Sequence, residues 1–288
     1  MVGADSAGAI SYRDIDDTQT MIDAAARTRE AVVIGGGLLG LEAANGLARR
    51  GMRVTVIHLM PWLMERQLDA PAAAMLQASL EARGIRFLLG TQTREILGYG
   101  GAVRGVRLAD GRELAADLVV FAIGIRPDIE LARRAGLACE RGVQVTDTMQ
   151  TFDPRIYAVG ECVAHRGVSY GLVAPLYDMA RICAQHLAGV GAFAYRGSVT
   201  ATRLKVTGIE VFSAGDFSGG ADSESIVYSD ARAHVYRKLV LRGSRLAGAV
   251  MVGNAQDAAW YQELIASGSD VAAMRGRLMF GRALAQAA

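Results

Sequence analysis

AVVIGGGLLGLE, Ala31 to Glu42, is the stretch that decides how this chain is read. The short apolar run Ala31 to Ile34 predicts a buried parallel strand. It breaks into Gly35-Gly36-Gly37, and Leu38-Leu39-Gly40 then opens a helix that runs through Ala48. Gly35-x-Gly37-x-x-Gly40 between a strand and a helix is the dinucleotide-binding pattern in the context it requires. Gly35 permits the tight turn, Gly37 lets the backbone approach a pyrophosphate, and Gly40 lets helix and strand pack closely. The helix start, Leu38 and Leu39 included, turns unpaired N–H groups and a partial positive charge toward the phosphates. A second strand, Arg53 to His58, completes a β-α-β unit. The competing reading is a glycine-rich turn in some other α/β protein.

Composition narrows the alternatives. The 288 residues suit two or three compact units, and 51% hydrophobic against 21% charged residues supplies a well-buried core. A net charge of +2 without a basic tract argues against nucleic acid or an anionic membrane as partner. The three cysteines, Cys139, Cys162 and Cys183, form no C-x-x-C metal or redox motif and point to a reducing, cytoplasmic setting. The opening MVGADSAGAISYRDIDD lacks the charged-then-apolar pattern of a signal peptide. No apolar run reaches the ~18 residues of a membrane helix.

Residues 1 to 9 read as small and flexible, and Asp16-Asp17-Thr18 predict an aspartate-capped helix ahead of the first strand. The second strand ends at His58, where a carboxylate ordinarily takes the adenosine ribose hydroxyls of NAD. A neutral imidazole accepts one such bond, whereas an imidazolium tolerates a 2′-phosphate. The nearest arginine is Arg66, so the reading leans to NADH and leaves NADPH open. Merely ending a strand at the surface is the plainer role for His58. Asp69 to Arg83 predicts a helix with Pro71 in its first turn, and Ile85 to Leu89 a further parallel strand. Thr93 to Leu97, Ala102 to Leu108 and Glu113-Leu114, turning at Asp110-Gly111, predict an antiparallel flap, after which Leu118 to Ile123 returns to the sheet.

Gly124 lets the chain leave that strand tightly, and Pro127-Asp128 start a short helix. Val143 to Asp147 predicts a strand, and Ile156 to Val159 a buried strand ending in Gly160-Glu161-Cys162. A carboxylate at such a strand end sits where parallel sheets bind ligands, although Glu161 could equally be a cap or a surface charge. Leu172-Val173-Ala174-Pro175 open a helix to Leu187. From Tyr195 alternating residues predict strands over Ser225 to Ser229, His234 to Leu241 and Leu246 to Val252, with a hairpin at Arg242 to Arg245 and a helix from Ala255 to Ile265. Gly189-Val190-Gly191 reads as a linker.

On these motifs the chain resembles the two-dinucleotide-domain flavoprotein disulfide reductase superfamily. Within it, VTVIHLMPWLMERQLD (54 to 69), DLVVFAIGIRP (117 to 127), TFDPRIYAVGEC (151 to 162), YGLVAPLY (170 to 177) and LKVTGIEVFSAGD (204 to 216) resemble the flavoprotein portion of assimilatory NAD(P)H nitrite reductase large subunits. The resemblance implies an α/β fold with Rossmann-like FAD- and NAD(P)-binding domains and a C-terminal α+β domain. The expected domains are 1–28 (linker and remnant of the FAD side), 29–122 (NAD(P)H), 123–190 (C-terminal part of the FAD domain) and 195–288.

It further implies that Gly35, Gly37, Leu38, Leu39 and Gly40 hold the NADH pyrophosphate, with His58 at the adenosine ribose and Glu42 near the nicotinamide amide. Gly124, Gly160, Glu161 and the backbone of Leu172, Val173 and Ala174 would belong to the FAD side. Two departures stand out. The superfamily's redox-active cysteine pair is absent, which favours electron transfer to a metal centre. Residues 1 to 30 also lack the second glycine turn for the FAD adenylate, so the FAD domain is expected to be incomplete and the chain to be an internal portion of a longer protein or a truncated gene product. The implied function is an NADH-dependent, FAD-linked oxidoreductase of nitrogen assimilation, feeding an iron–sulfur/sirohaem domain or subunit, with a homodimer left open. The alternatives are a non-catalytic NAD(H)-binding fragment and a stand-alone ferredoxin- or rubredoxin-type NADH reductase. No side chain is assigned as catalytic or as a metal ligand.

Overall fold

The computed structural model describes residues 1–206 and 208–287. The chain divides into two compact units, Met1–Gly124 with Ala201–Ala288, and Ile125–Thr200. The first begins with β1 (Ala9–Ser11), α1 (Ile15–Arg27), β2 (Glu30–Ile34), α2 (Leu38–Arg49), β3 (Arg53–Ile57), α3 (Ala70–Glu81) and β4 (Arg86–Leu88). An antiparallel flap of β5 (Thr93–Tyr99), β6 (Ala102–Leu108) and β7 (Glu113–Ala115) follows, and β8 (Leu118–Phe121) returns to the main sheet. That sheet has five parallel strands in the order β1-β8-β2-β3-β4.

Alternate residues of the sheet serve opposite layers. Val33, Val54, Val56 and Val120 pack against Leu41, Leu47, Leu76 and Leu80 of α2 and α3. Val32, Ile34, Ile57 and Val119 pack against Ile96, Val106 and Leu108 of the flap. A sheet covered on both faces needs continuous apolar strands, which is why EAVVI and LVVF carry so little polar content. The helices start where side chains can satisfy their first N–H groups. Asp14 and Asp17 cap α1 reciprocally, and Asp69 caps α3 just ahead of Pro71. The flap turns at Gly111, φ +89°, where Asp110 accepts the Arg112 N–H at 3.0 Å.

Residues 1 to 9, expected to be flexible, are tied to this unit. Ile96 N–H donates to Val2 O at 3.0 Å and Val103 N–H to Ala7 O at 2.9 Å, and β1 pairs with β8 from Ala9 to Ser11. The open edge of β8 offers unpaired backbone groups, and the N-terminal segment satisfies them. The first residues therefore extend the nucleotide sheet.

The second unit holds α4 (Glu130–Arg134), β9 (Val143–Val145), β10 (Val163–His165) and α5 (Val173–Leu187). Its sheet has two parallel strands, β9 and β10. The strand expected over Ile156 to Val159 does not form. Tyr157 makes an isolated bridge to Gln150, and Val159 is exposed. Among the described residues no neighbouring strand lines up with it, and without a ladder partner an apolar run stays irregular. The core of this unit is Met149, Val163, Met179, Cys183 and Tyr195.

The rest of the first unit is an antiparallel sheet of β11 (Ala201–Val206), β12 (Ile209–Gly215), β13 (Glu224–Asp230), β14 (Val235–Arg242) and β15 (Arg245–Val252), in the order β11-β12-β15-β14-β13. It is followed by α6 (Ala258–Ser267), a 3-10 helix (Ala272–Phe280) and α7 (Arg282–Ala285). One face, with Val211, Tyr236, Val250 and Val252, joins the core around α2 and α3. The other, with Phe212, Leu239, Ala249 and Met251, packs on Trp260, Tyr261 and Leu264. Asp69 fastens the junction, accepting from Tyr236 Oη at 2.8 Å with Lys238 Nζ 3.4 Å away. Burial and this bond push the Tyr236 phenol well above its ordinary range. No helix among the described residues is long and apolar enough to cross a membrane.

Candidate dinucleotide-binding site

The three glycines of the turn differ in what surrounds them. Gly35 has φ +119°, and a Cβ there would stand 2.2 Å from Ala122 O. A Cβ on Gly40 would stand 1.9 Å from Gly35 O. Both contacts are with backbone, so the protein's own packing demands glycine at these positions. Around Gly37 no atom of a described residue beyond its immediate chain neighbours lies within 4 Å of where a Cβ would be. Gly37 is also the N-cap of α2, and no side chain caps that helix start. The turn therefore leaves room directly in front of first-turn N–H groups, as a pyrophosphate needs. Glu42 lies on the exposed side of α2, and desolvation raises its carboxyl above the usual range.

Gly36 is the glycine the spacing pattern leaves unexplained. A Cβ there would stand 2.8 Å from His58 Cγ and 2.8 Å from Leu63 Cδ2. Its N–H donates to His58 Nδ1 at 3.0 Å, and its carbonyl accepts the Met64 N–H at 3.0 Å. Met64, wholly buried, holds φ +52°, a setting rare for a side-chain-bearing residue. The segment after β3 is thus folded back onto the turn, and only glycine lets it come so close.

His58 lies one residue past β3, and its position bears on the expected ribose contact. It is 9% exposed, with Nε2 3.0 Å from Glu65 Oε2. Since Nδ1 accepts the Gly36 N–H, the proton is on Nε2 and is donated to Glu65. The ring has no acceptor left for a ribose hydroxyl, and an imidazolium facing a 2′-phosphate is incompatible with an accepting Nδ1. What the strand end presents instead is the Glu65 carboxylate, with Arg66 Nε 4.0 Å from its Oε1. Sequence reasoning passed over Glu65 because it lies seven places after His58, in a loop without periodicity. The only sequence signal was Gly36 itself, a glycine that the spacing pattern does not require.

The remaining candidates fall elsewhere. Gly124, φ +93°, ends the first unit's sheet segment and is exposed. In the second unit Gly160, φ +106°, has nothing within 4 Å of its Cβ position, and Gly160-Glu161 lead into β10. Leu172 is the N-cap of α5, again without a side-chain cap, and Val173 and Ala174 are exposed in its first turn. The three cysteines are free thiols, and burial pushes Cys162 and Cys183 away from the thiolate form.

A glycine turn of this construction on a parallel sheet, with a C-terminal antiparallel sheet packed into the same unit, defines a class. Residues 2–182 match the pyridine nucleotide-disulphide oxidoreductase family, and the chain belongs to it. That family binds FAD and NAD(P)H. Residues 201–269 match the rubredoxin NAD+ reductase C-terminal domain. More narrowly, the chain is 52% identical over 255 residues to the NAD(P)H nitrite reductase of Bacillus subtilis (strain 168), covering 88% of this chain and 32% of that protein. It is 46% identical over 255 residues to the assimilatory nitrate reductase electron transfer subunit of the same organism, covering 88% of this chain and 33% of that one. The chain thus spans about a third of the length of these curated relatives. Among solved structures, a FAD-dependent pyridine nucleotide-disulphide oxidoreductase from Desulfovibrio vulgaris aligns with a TM-score of 0.81 at 26% identity, covering 97% of this chain and 75% of that one.

Proposed function

We propose that this chain is the NADH-binding, FAD-linked part of a nitrite-reductase-type oxidoreductase, and that its electrons leave for an iron–sulfur/sirohaem domain or subunit. The observation that carries the reading is the open space at Gly37, facing an uncapped helix start while Gly35 and Gly40 are closed by backbone. The likeness to NAD(P)H nitrite reductase and to an electron transfer subunit supports a redox partner. Relatives in nitrogen assimilation support a cytoplasmic location.

When bound, NADH supplies a hydride and FAD divides the electron pair for an acceptor that takes one electron at a time. The chain's own work is placement. The first N–H groups of α2 hold the pyrophosphate, and Gly37 lets the backbone reach it. Glu42, with its raised carboxyl, is suited to hydrogen bonding at the nicotinamide amide. On the flavin side, the open position at Gly160 and the free α5 start at Leu172 to Ala174 suit the ribityl chain and the pyrimidine edge. There the helix dipole favours added negative charge. Glu161 is assigned to the ribityl hydroxyls.

The test is a calorimetric titration of NADH into the wild-type chain and into Gly37→Val, with circular dichroism on both. We expect the variant to keep its helix content and to lose at least about 100-fold in affinity, since several N–H contacts to phosphate go together. Equal affinities would reject the reading. The two-stranded sheet of the second unit favours, as a second reading, an NAD(H)-binding module without flavin chemistry. A visible flavin spectrum in the purified chain, bleached by NADH, decides for the enzyme, and a colourless protein that still binds NADH decides for the module.

A further inference from the structure

We propose that Glu65, positioned by His58 and by the left-handed turn at Met64, reads the adenosine ribose and sets a preference for NADH over NADPH. The inference rests on the glycine turn being the pyridine-nucleotide site. In a β-α-β unit of this kind the ribose comes to the end of the second strand, which here is β3. The residue at that end, His58, is spent: its Nδ1 accepts the Gly36 N–H at 3.0 Å and its Nε2 points at Glu65 Oε2 at 3.0 Å. One carboxylate oxygen is thereby anchored, and the other, Oε1, has the exposed Arg66 Nε 4.0 Å away. The side chain of Glu65 is 24% exposed, so it is held by the protein yet reaches solvent.

Two features show that this placement is built. Met64 adopts φ +52° while its N–H is bonded to Gly36 O at 3.0 Å, so a strained residue directly before Glu65 is locked to the glycine turn itself. Gly36 has no room for any side chain, because His58 and Leu63 fill the space a Cβ would need. The glycine turn and the carboxylate thus belong to one hydrogen-bonded assembly, from Glu65 through His58 to the Gly36 peptide, which in turn holds Met64. A carboxylate accepts from the ribose 2′-hydroxyl and repels a 2′-phosphate. Arg66, the cation that could answer that phosphate, lies within ion-pair reach of Glu65 and is 79% exposed.

The test measures dissociation constants for NADH, NADPH and NADH carrying a 2′-deoxyadenosine. It uses the wild-type chain, Glu65→Gln and Glu65→Ala, at low and physiological ionic strength. Glu65→Gln can still accept from His58 Nε2, so it removes the charge and keeps the anchor. The ratio of NADH to NADPH affinity should fall by at least about tenfold in Glu65→Gln, with NADPH binding improved in absolute terms, and more so at low salt. Removing the 2′-hydroxyl should cost the wild type about fivefold and Glu65→Ala less than about twofold. A ratio unchanged within about twofold, or equal losses for both nucleotides, would overturn the proposal while leaving the glycine-turn reading intact. If the wild type binds neither nucleotide, that reading falls and takes this one with it.

Discussion

The two units of this molecule are held together by different physics. In the first, a parallel sheet is covered on both faces, and its strands and helices bury Val33, Val56, Leu41, Leu47, Leu76 and Leu80 almost completely. In the second, a two-stranded sheet carries a small core, and much of the remaining order comes from polar pins. Asp147 there binds both His165 and Arg166, and Tyr195, Ser198 and Asp178 form a second chain of hydrogen bonds. Leu131, Phe152, Val173 and Tyr177 of this unit stay exposed. Close packing makes the first unit sensitive above all to volume. Pinning by charge makes the second sensitive to protons and salt.

The largest expected effect breaks the first unit outright. Gly40→Val puts its Cβ where Gly35 O now stands, and two backbones cannot yield as a side-chain tip can. We expect no cooperative melt and no soluble NADH-binding protein. Gly37→Val, three residues away, should melt like the wild type and fail only in binding, because no described residue beyond its chain neighbours lies near its Cβ position. If both variants fold equally well, the distinction between a packing glycine and a ligand glycine collapses.

Next comes Leu76→Ala, on the face of α3 that meets the sheet. Leu76 is fully buried, so truncation should cost about 2–5 kcal/mol in chemical denaturation. A smaller test addresses how the C-terminal sheet is fastened to the nucleotide sheet. Tyr236→Phe removes the 2.8 Å bond to Asp69, leaving that carboxylate its Ala72 N–H and Lys238. The expected loss is about 1–2 kcal/mol. Two separate unfolding transitions in this variant would show that the Asp69 contact couples the two sheets. A single unshifted transition would show that the apolar junction does so alone.

How much of this was legible in the sequence follows the same division. Regular elements with their own signals were readable: the glycine turn, the Asp69-Ala70-Pro71 helix start, the Asp110-Gly111 hairpin and the alternation in β14 and β15. β12 escaped assignment from its pattern because it is central in its sheet and buried on both faces. Val211 goes to one core and Phe212 to the other, so no alternation exists to be seen. The Ile156 to Val159 error has the opposite origin. The run looks like a strand, but a strand is a property of a pair, and among the described residues Ile156 to Val159 makes only the isolated Tyr157 bridge to Gln150. At the candidate site, Gly35, Gly37 and Gly40 were read from spacing because each answers a local demand. Glu65 was not, since its place depends on Met64 turning back to Gly36, a long-range bond with no periodic signature.

The smallest effect sharpens the claim that the second unit depends on charge. His165 and Val168 exchange backbone hydrogen bonds of 3.0 and 2.9 Å across a turn whose two central residues, Arg166 (φ +50°) and Gly167 (φ +78°), are both left-handed. Such a turn favours glycine or asparagine, and arginine occupies it at a cost. Asp147 offsets that cost by accepting from Arg166 Nη2 at 2.6 Å and from Nε at 3.0 Å, while His165 Nε2 lies 2.8 Å from the same carboxylate. The Arg166 bonds first, then His165, hold the Asp147 carboxyl down at about 2, against an ordinary 3.8. A carboxyl depressed in the folded state stabilises above its unfolded value, and that contribution disappears as pH falls from about 4 toward about 2. The carboxylate is open to solvent, so the effect should be modest and should weaken in salt. Asp147→Asn keeps the shape and removes the charge. Amide hydrogen exchange over residues 143–168 should be faster in the variant than in the wild type near pH 6. The gap should stay level down to about pH 4, then close toward pH 2 as the wild-type carboxyl takes its proton. A gap that persists at the acid end would assign the turn's order to packing of His165 against Tyr195, whose rings stand 4.9 Å apart, and the pinning account of this unit would fail.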